Sequence, residues 1–170
     1  MGQTQEEILG YYDQYYDMIW RICLMQMGKE EDAYDAVQET FLRLIRKGKV
    51  FRDTEHAKAW LIQTAVNYCR DVHKSAWRQH YAGDEGLELL NTETYSERDR
   101  EVFETLMELP KEQRVILYLY FYEGYSLKEI AGLLKVNAST LRSRFAKAKE
   151  RMREYLEEDS YEADTQELSF

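Results

Sequence analysis

Proline and glycine are scarce in this chain, and their scarcity limits its possible folds more than any other sequence feature. The 170 residues include one Pro and 8 Gly, whereas 44% are hydrophobic and 32% are charged. A β-sandwich with many turns needs frequent Gly and Pro, and a disordered chain lacks so large an apolar fraction. The composition therefore predicts an all-α protein.

Apolar residues before residue 81 recur at steps of three and four, which is the spacing of one helix face. A capping box at Thr4, acidic first turns and terminal glycines predict three helices, over residues 4–28, 30–48 and 54–78. The third helix is either unbroken or bent near Asn67. The side chains expected to face a common core are Ile8, Tyr12, Tyr16, Ile19, Cys23 and Met27, then Ala33, Val37, Phe41, Leu44 and Ile45, then Ala57, Trp60, Leu61, Thr64, Ala65, Tyr68 and Val72.

A second helical block follows. The block begins with one helix that ends before Pro110. Pro110 then opens a second helix, at a position where its missing backbone N–H costs no hydrogen bond, and Gly124 is expected to end that helix. A capping box at Ser126 opens a short helix, and a break at 135–137 separates it from a final helix over about 138–155. The expected inward side chains are Val102, Phe103, Leu106, Leu109, Ile130, Ala131, Leu133, Leu134, Leu141, Phe145, Ala148 and Met152.

The break contains Lys135 at a position where a glycine often makes the turn. A left-handed Lys costs on the order of 1 kcal/mol. Two alternatives follow: either Lys135 accepts that cost, or Asn137 takes the left-handed conformation instead.

Charge is distributed unevenly along the chain, whose formal net charge is −9. Residues 111–156 contain 10 Lys or Arg and 5 Asp or Glu, whereas the last fourteen residues contain 6 acids and no base. The segment between the helical blocks is acidic and poor in apolar residues, which is typical of a flexible linker. The sequence therefore predicts two small helical domains joined by a flexible acidic linker: an N-terminal domain (1–81), the linker (82–97), a C-terminal domain (98–156) and an acidic tail (157–170).

The short helix, tight break and longer helix after Ser126 have the layout of a helix-turn-helix. On the longer helix, the side chains left for solvent are hydroxyls and cations. Arg pairs with guanine edges in the major groove, while Ser, Thr and Lys bind phosphates. The pattern favours DNA binding over the alternative, which is a basic face that only contacts solvent. The candidate DNA-binding residues are Ser139, Thr140, Arg142, Ser143, Arg144 and Lys147.

Two further surfaces are candidate binding sites. Arg70, Lys74 and Arg78 form a cationic stripe near aromatic residues, an arrangement that suits single-stranded DNA but is more often a solvated face. His73, Trp77, His80 and Tyr81 lie beside this stripe in the sequence. The second helix has an acidic and amide-bearing face, either an ordinary exposed face or a docking face for a basic helix, formed by Asp32, Asp35, Gln38, Glu39, Leu42 and Arg43.

Several other classes of function find no support in the sequence. It contains no Gly-rich phosphate loop, no nucleophile elbow and no His pair at metal spacing, so we expect no enzymatic activity, no cofactor and no metal. Cys23 and Cys69 cannot form a disulfide framework. The longest apolar run has eight residues, far short of the roughly 20 that span a bilayer. The N-terminus is polar and acidic. We therefore expect a cytoplasmic chain with no membrane insertion.

The three candidate surfaces, taken together and in order, resemble those of the bacterial RNA polymerase sigma factors, specifically the extracytoplasmic-function subgroup of the sigma-70 family. The resemblance covers roughly residues 8–80 and 98–156. The strings that carry it are DAYDAVQETFLRL (32–44), AWLIQTAVN (59–67), and the segment from Leu109-Pro110 through SLKEIA (126–131) to STLRSR (139–144).

The resemblance implies a sigma factor that binds core RNA polymerase and directs promoter-specific initiation. Asp32, Asp35, Gln38, Glu39 and Leu42 would dock on the clamp helices of the largest subunit, and the flap would be a second polymerase contact. Melted minus-ten DNA would meet Phe51, Arg52, Asn67, Arg70, His73 and Lys74. The duplex minus-thirty-five element would meet the six candidates of the last helix. The resemblance also implies control by an anti-sigma factor.

A second functional hypothesis is a stand-alone helix-turn-helix regulator that binds DNA as a dimer. The sigma-factor hypothesis predicts instead a monomer when free. An interaction module that binds only protein is a further alternative, and it would be indifferent to loss of Arg142 and Arg144.

Overall fold

The computed structural model describes the backbone of residues 2–78 and 97–167 and the side chains of residues 2–75 and 97–157. Within these ranges all regular secondary structure is α-helical, which confirms the predicted all-α class. The helices are α1 (Gln5–Met27), α2 (Glu30–Lys47), α3 (Thr54–Arg78), α4 (Glu97–Glu108), α5 (Lys111–Phe121), α6 (Leu127–Leu134) and α7 (Ala138–Glu167).

The chain divides into two compact units, Met1–Glu88 and Leu89–Phe170. The division falls inside the segment predicted as a linker, although the individual domain bounds stay a prediction. Residues 82–96 of that linker, and the side chains of Trp77, Arg78, His80 and Tyr81, lie outside the described residues.

Helices α1, α2 and α3 pack against one another in the N-terminal unit. Thr4 opens α1 with the predicted capping box. Gly28 ends α1 and Gly48 ends α2, and both have the left-handed backbone that glycine adopts at little cost. Helix α3 runs unbroken past Asn67, which agrees with the first of the two alternatives for this helix.

Two of the residues predicted to face inward are exposed instead. Tyr12 on α1 is 42% exposed and Ile45 on α2 is 54% exposed. Helix α1 packs against both other helices, and in its C-terminal half every residue from Ile22 to Gln26 is buried. A single apolar stripe therefore describes this helix poorly. Burial concentrates in that half, away from Tyr12.

In the C-terminal unit, α7 packs against α4, α5 and α6. The core contains Leu109, Leu119, Ile130 and Leu141, all fully buried. Pro110 precedes the first residue of α5 with φ −54°. The predicted inward positions of α6 and of the first half of α7 are buried as expected.

The turn between α6 and α7 gives Lys135 the left-handed conformation, with φ 52° and ψ 48°. It is the one non-glycine residue with positive φ among those described. The alternative that assigned this conformation to Asn137 is wrong. Asn137 instead accepts hydrogen bonds from the backbone N–H and the hydroxyl of Ser139, at 2.9 and 2.8 Å, and so caps the start of α7.

Helix α7 continues to Glu167, beyond the end predicted near residue 155. Residues 156–167 contain no Gly and no Pro, so nothing in the backbone chemistry stops the helix there. None of the helices in the described ranges has the length and apolar character required to cross a membrane.

Candidate nucleic-acid interface

The first half of α7 presents the predicted polar and cationic side chains on one side. We call Ser139, Thr140, Arg142, Ser143, Arg144 and Lys147 the recognition face. All are exposed except Arg144, which is half-buried, and Leu141, Phe145 and Ala148 are buried on the opposite side. The first turn of α7 has no acidic residue, so the positive end of the helix dipole is not offset there. This arrangement suits an anionic duplex.

Aromatic rings fix the orientation of α7 on α5. The ring of Phe145 lies 4.7 Å from that of Tyr120 and 6.3 Å from that of Phe121, measured between centroids. Lys149 Nζ lies 5.0 Å from the centre of the Phe145 ring, on a helix turn beyond the recognition face. Because Phe145 is anchored inward, the side chains on the opposite side of α7 point to solvent.

An apolar groove lies between α4, α5 and α7 in the same unit. Its volume is about 520 Å³ and its lining includes Val102, Leu106, Leu117, Met152 and Leu156. Phe121 and Tyr122 lie at its side and are 63% and 45% exposed. Exposed apolar surface of this kind is typical of a protein-binding site.

On α3, three of the predicted minus-ten residues lie on one outer face. Asn67 and Arg70 are half-buried, and Lys74 is exposed one turn further along. Their spacing of three and four residues places them on one side of the helix. Arg52 is exposed in the loop before α3. We call Arg52, Asn67, Arg70 and Lys74 the strand surface.

The loop that contains Arg52 has its own hydrogen bonds. The backbone N–H of Arg52 donates to Nδ1 of His56 at 3.3 Å, and the N–H of His56 donates to Asp53 Oδ1 at 2.8 Å. These bonds fix the entry of the chain into α3.

Phe51 is placed differently from the other minus-ten candidates. Its side chain is only 9% exposed. Its ring meets those of Tyr11, His56 and Trp60 at centroid distances of 5.7, 5.2 and 5.7 Å. A base could reach this ring only if Phe51 left the cluster, so the structure does not bring Phe51 onto the strand surface.

His73 also faces the protein rather than solvent. Its Nε2 lies 2.6 Å from the backbone carbonyl oxygen of Gln26, in the last turn of α1. Backbone carbonyls in the last turn of a helix lack the regular donor of the helix interior, so side chains can bond to them. The sequence placed His73 beside the cationic stripe and predicted it as a minus-ten contact. The structure turns it toward α1.

The predicted docking residues occupy the outer face of α2. We call Asp32, Asp35, Gln38, Glu39 and Leu42 the docking face. All are exposed except Glu39, which is half-buried: its Oε1 accepts from Arg43 Nε at 3.2 Å and lies 3.5 Å from Arg46 Nη1. The sequence analysis did not predict this pair, although its i,i+4 spacing is a signal that indicates one.

Arg43 connects α2 to α3. Its Cζ lies 5.4 Å from the centre of the Tyr68 ring, a cation–π contact. Burial raises the pKa of the Tyr68 phenol, and the carboxylates of Glu39 and Asp35 raise it further. No periodicity in the sequence pointed to this contact, because it joins two helices.

Cys23 and Cys69 are fully buried between α1 and α3. A hydrogen bond with Cys69, followed by burial, raises the pKa of the Cys23 thiol well above its ordinary value. Buried protonated thiols are poor nucleophiles and poor metal ligands. Within the described ranges no group of three or more His, Cys, Asp or Glu residues could bind a metal ion.

Comparison with known families accounts for both units. The family model for sigma-70 region 2 matches residues 11–79, and the model for sigma-70 region 4 matches residues 99–152. The ECF RNA polymerase sigma factor SigL of Mycobacterium tuberculosis is 32% identical over 154 residues, which cover 86% of this chain and 87% of SigL. The chain belongs to the extracytoplasmic-function sigma factors of the sigma-70 family.

Other sigma factors show the same likeness. RNA polymerase sigma factor SigV of Bacillus subtilis is 29% identical over 139 residues, covering 79% of this chain and 81% of SigV. The fold is similar to that of the sigma factor RpoE in complex with the anti-sigma factor NepR from Bartonella quintana, with a TM-score of 0.69 and 22% identity over 90% of this chain and 96% of that one. CnrH, solved in complex with the cytosolic domain of CnrY, gives a TM-score of 0.62 and 21% identity, over 92% of this chain and 91% of CnrH.

Proposed function

We propose that this sigma factor directs core RNA polymerase to promoters with three surfaces, one for the polymerase and two for DNA. The docking face on α2 binds core polymerase, the strand surface on α3 binds melted minus-ten DNA, and the recognition face on α7 reads the minus-thirty-five duplex. The observation that supports this most is the co-occurrence of both family regions with an exposed cationic face on a helix-turn-helix.

The recognition face supports sequence reading because its cations and hydroxyls lie on one side of a helix whose first turn has no acidic residue. Arg142 and Arg144 are the candidates for guanine edges, while Thr140 and Lys147 are suited to phosphates. Ser139 instead donates its backbone N–H and its hydroxyl to Asn137. Residues 111–156 have a net charge of only +5, so this unit alone neutralises few phosphates. Tethering both units on one polymerase raises the effective concentration of each at the promoter.

The strand surface is smaller than the minus-ten surface predicted from the sequence. Arg52, Asn67, Arg70 and Lys74 stay candidates for direct contact with the melted strand. Phe51 is instead a positioning residue, because its ring packs against Tyr11 and His56 and so anchors the loop that contains Arg52. His73 becomes a positioning residue for α3 through its bond to α1.

The docking face suits a basic helix of the polymerase clamp. Asp32 and Asp35 are exposed acids, and Leu42 is a large apolar residue left 42% exposed among them. Complementary charge steers such encounters, while an exposed apolar residue supplies buried area.

A protein partner also fits the C-terminal unit. The apolar groove between α4, α5 and α7 is suited to an amphipathic segment of the polymerase flap or of an anti-sigma factor. Both solved sigma factors named above are complexes with proteins that bind them, which supports a partner of the same class here.

Sigma factors as a family are not enzymes. We propose that this chain likewise catalyses no bond change, uses no cofactor and acts in the cytoplasm, where its polymerase works. We propose that the free chain is a monomer, because a sigma factor binds core polymerase and does not need a second copy of itself to bind the promoter.

Run-off transcription with purified core polymerase over a randomised promoter library tests the function directly. Wild type should yield transcripts that share spaced minus-thirty-five and minus-ten elements. Arg142→Ala should lower transcription from the selected promoter by about fivefold to a hundredfold, corresponding to about 1–3 kcal/mol of lost base contact. Arg151→Ala is the matched control, as it removes an exposed cation of α7 outside the recognition face.

The stand-alone regulator is not favoured, because such a protein has no need of a region 2 unit. A tight, specific gel shift by a dimer without polymerase would support it and contradict the sigma function. The sigma function would also be contradicted if core polymerase produced the same transcripts in the absence of this chain.

A further inference from the structure

The start of α3 contains two linked hydrogen bonds that hold the loop before it. Asp53 directly precedes α3, and its Oδ1 accepts from the backbone N–H of His56 at 2.8 Å, as the cap residue of a helix does. Nδ1 of His56 in turn accepts from the backbone N–H of Arg52 at 3.3 Å. The imidazole therefore bonds to a residue that lies outside the helix.

The capping boxes of α1 and α6 show how this arrangement differs from the usual one. In a capping box the third helical residue accepts from the N–H of the cap residue itself. Glu7 accepts in this way from Thr4 at 3.0 Å, and Glu129 accepts from Ser126 at 3.1 Å. His56 is the third residue of α3, but it accepts from the residue before the cap. Its side chain thus acts on the loop.

The residues on either side of Arg52 are anchored as well. The buried ring of Phe51 packs edge-on against the His56 ring, with 5.2 Å between centroids. On the other side, the backbone carbonyl of Thr54 accepts from the hydroxyl of Tyr15 at 3.2 Å. His56 contacts both the buried Phe51 and the exposed Arg52, so it joins the anchored part of the loop to the part that faces solvent.

We propose that His56 is a positioning residue for strand binding, whose imidazole holds the backbone of Arg52 so that the guanidinium meets a phosphate of the melted strand. This inference rests on the proposed function, because it requires Arg52 to contact DNA. A loop that is held in place before the strand arrives loses less conformational entropy on binding. Ordering one such side chain is equivalent to about a twofold to tenfold change in affinity.

Three uncharged replacements of His56 separate this role from the capping of α3. Asn has an acceptor oxygen at the position of the imidazole Nδ1, so His56→Asn retains an acceptor for the N–H of Arg52. Gln at the third helical position forms an ordinary capping box and accepts from the N–H of Asp53. His56→Gln therefore keeps the helix start bonded but releases Arg52. His56→Ala has no side-chain acceptor for either N–H.

The test uses the full chain without polymerase and a short fluorescein-labelled oligothymidine. Affinity is measured by fluorescence anisotropy at several salt concentrations and at about pH 8, where histidine is generally neutral. His56→Gln and His56→Ala should each lower affinity by about twofold to tenfold, and should reduce the slope of log affinity against log salt by up to about 0.7, the value for one phosphate contact on a single strand. His56→Asn should bind as the wild type does. In thermal melts, His56→Gln should keep the wild-type Tm, whereas His56→Ala should lower it.

A double variant shows whether His56 acts through Arg52. Arg52→Ala alone should lower affinity, and R52A/H56Q should lower it no further, because the side chain that His56 positions is already absent. Three results would each overturn the proposal: additive losses in the double variant, wild-type affinity in His56→Gln, or binding by His56→Asn as weak as that by His56→Ala.

Lys74→Ala distinguishes failure of this proposal from failure of the proposed function. If Arg52→Ala and Lys74→Ala both weaken oligothymidine binding but His56→Gln does not, only the role of His56 is wrong. If Lys74→Ala weakens binding and Arg52→Ala does not, Arg52 does not belong to the strand surface, and the role of His56 is wrong with it. If neither variant changes affinity, the strand surface itself is wrong.

Discussion

His73 Nε2 lies 2.6 Å from the carbonyl oxygen of Gln26, so the C-terminal part of α3 is bonded to the last turn of α1. Lys74, the next residue, is exposed on the outer face of the same helix. Two adjacent residues of one cationic segment thus have opposite roles: one orients the helix and the other is available to DNA.

We expect His73→Ala to lower the free energy of unfolding of the N-terminal unit by about 1–2 kcal/mol, because it removes the hydrogen bond that joins α3 to the Gln26 carbonyl. Lys74→Ala should leave stability nearly unchanged and instead reduce the salt dependence of single-strand binding. Urea unfolding followed by circular dichroism measures the first effect, and anisotropy titrations measure the second. Equal stability of the two variants would contradict the assignment of His73.

Lys135 has a backbone conformation that disfavours a side chain, and it is exposed. We expect Lys135→Gly to stabilise the C-terminal unit by about 0.5–1 kcal/mol, because glycine adopts positive φ without a steric penalty. Lys128→Gly, at an exposed position within α6, should instead destabilise it by about 1 kcal/mol. Thermal melts of the three proteins provide the comparison. A loss of stability in Lys135→Gly would show that the turn contributes no strain.

Ser126 and Glu129 exchange two hydrogen bonds of 3.1 Å, each from a backbone N–H of one to the side chain of the other. Since α6 has only eight residues, this capping box satisfies a large share of its free N–H groups. Ser126→Ala should cost about 1 kcal/mol of stability, whereas Ser143→Ala on the exposed face of α7 should cost nearly nothing. Chemical denaturation measures both, and equal values would argue against the cap.

The raised pKa of Tyr68 predicts a dependence of stability on pH. A group whose pKa is higher in the folded chain than in the unfolded chain contributes fully below its ordinary pKa, here near 10, and loses that contribution as pH rises through the folded value. We therefore expect stability to fall above about pH 10, and to fall less steeply in Tyr68→Phe. Tyr34→Phe, at an exposed position of α2, is the control and should keep the wild-type slope.

Local patterns were sufficient to predict that each helix exists and where most helices begin and end. The capping boxes at Thr4 and Ser126 and the terminal glycines at positions 28 and 48 mark helix ends through interactions within a few residues, and the structure confirms them. The same is true of the recognition face, where buried Leu141 and Phe145 leave the polar side of α7 outward. The end of α7 was misjudged, because acidic composition is not a helix stop.

Contacts between helices required the tertiary structure. The burial of Phe51 among three rings, the bond between His73 and Gln26, and the position of Arg43 over Tyr68 all join residues distant in the sequence. A periodic pattern shows which side of a helix is apolar, but the direction and depth of packing depend on which neighbours that side meets.

The sequence by itself determined the all-α class, the order of the helices, the family, and which polar residues α2 and α7 present to solvent. Each of these depends on spacing along one helix or on strings of adjacent residues. The tertiary structure decided which cationic and aromatic side chains near α3 are free to meet DNA and which already have partners in α1 and α2. Those assignments depend on distances between helices, which no local pattern contains.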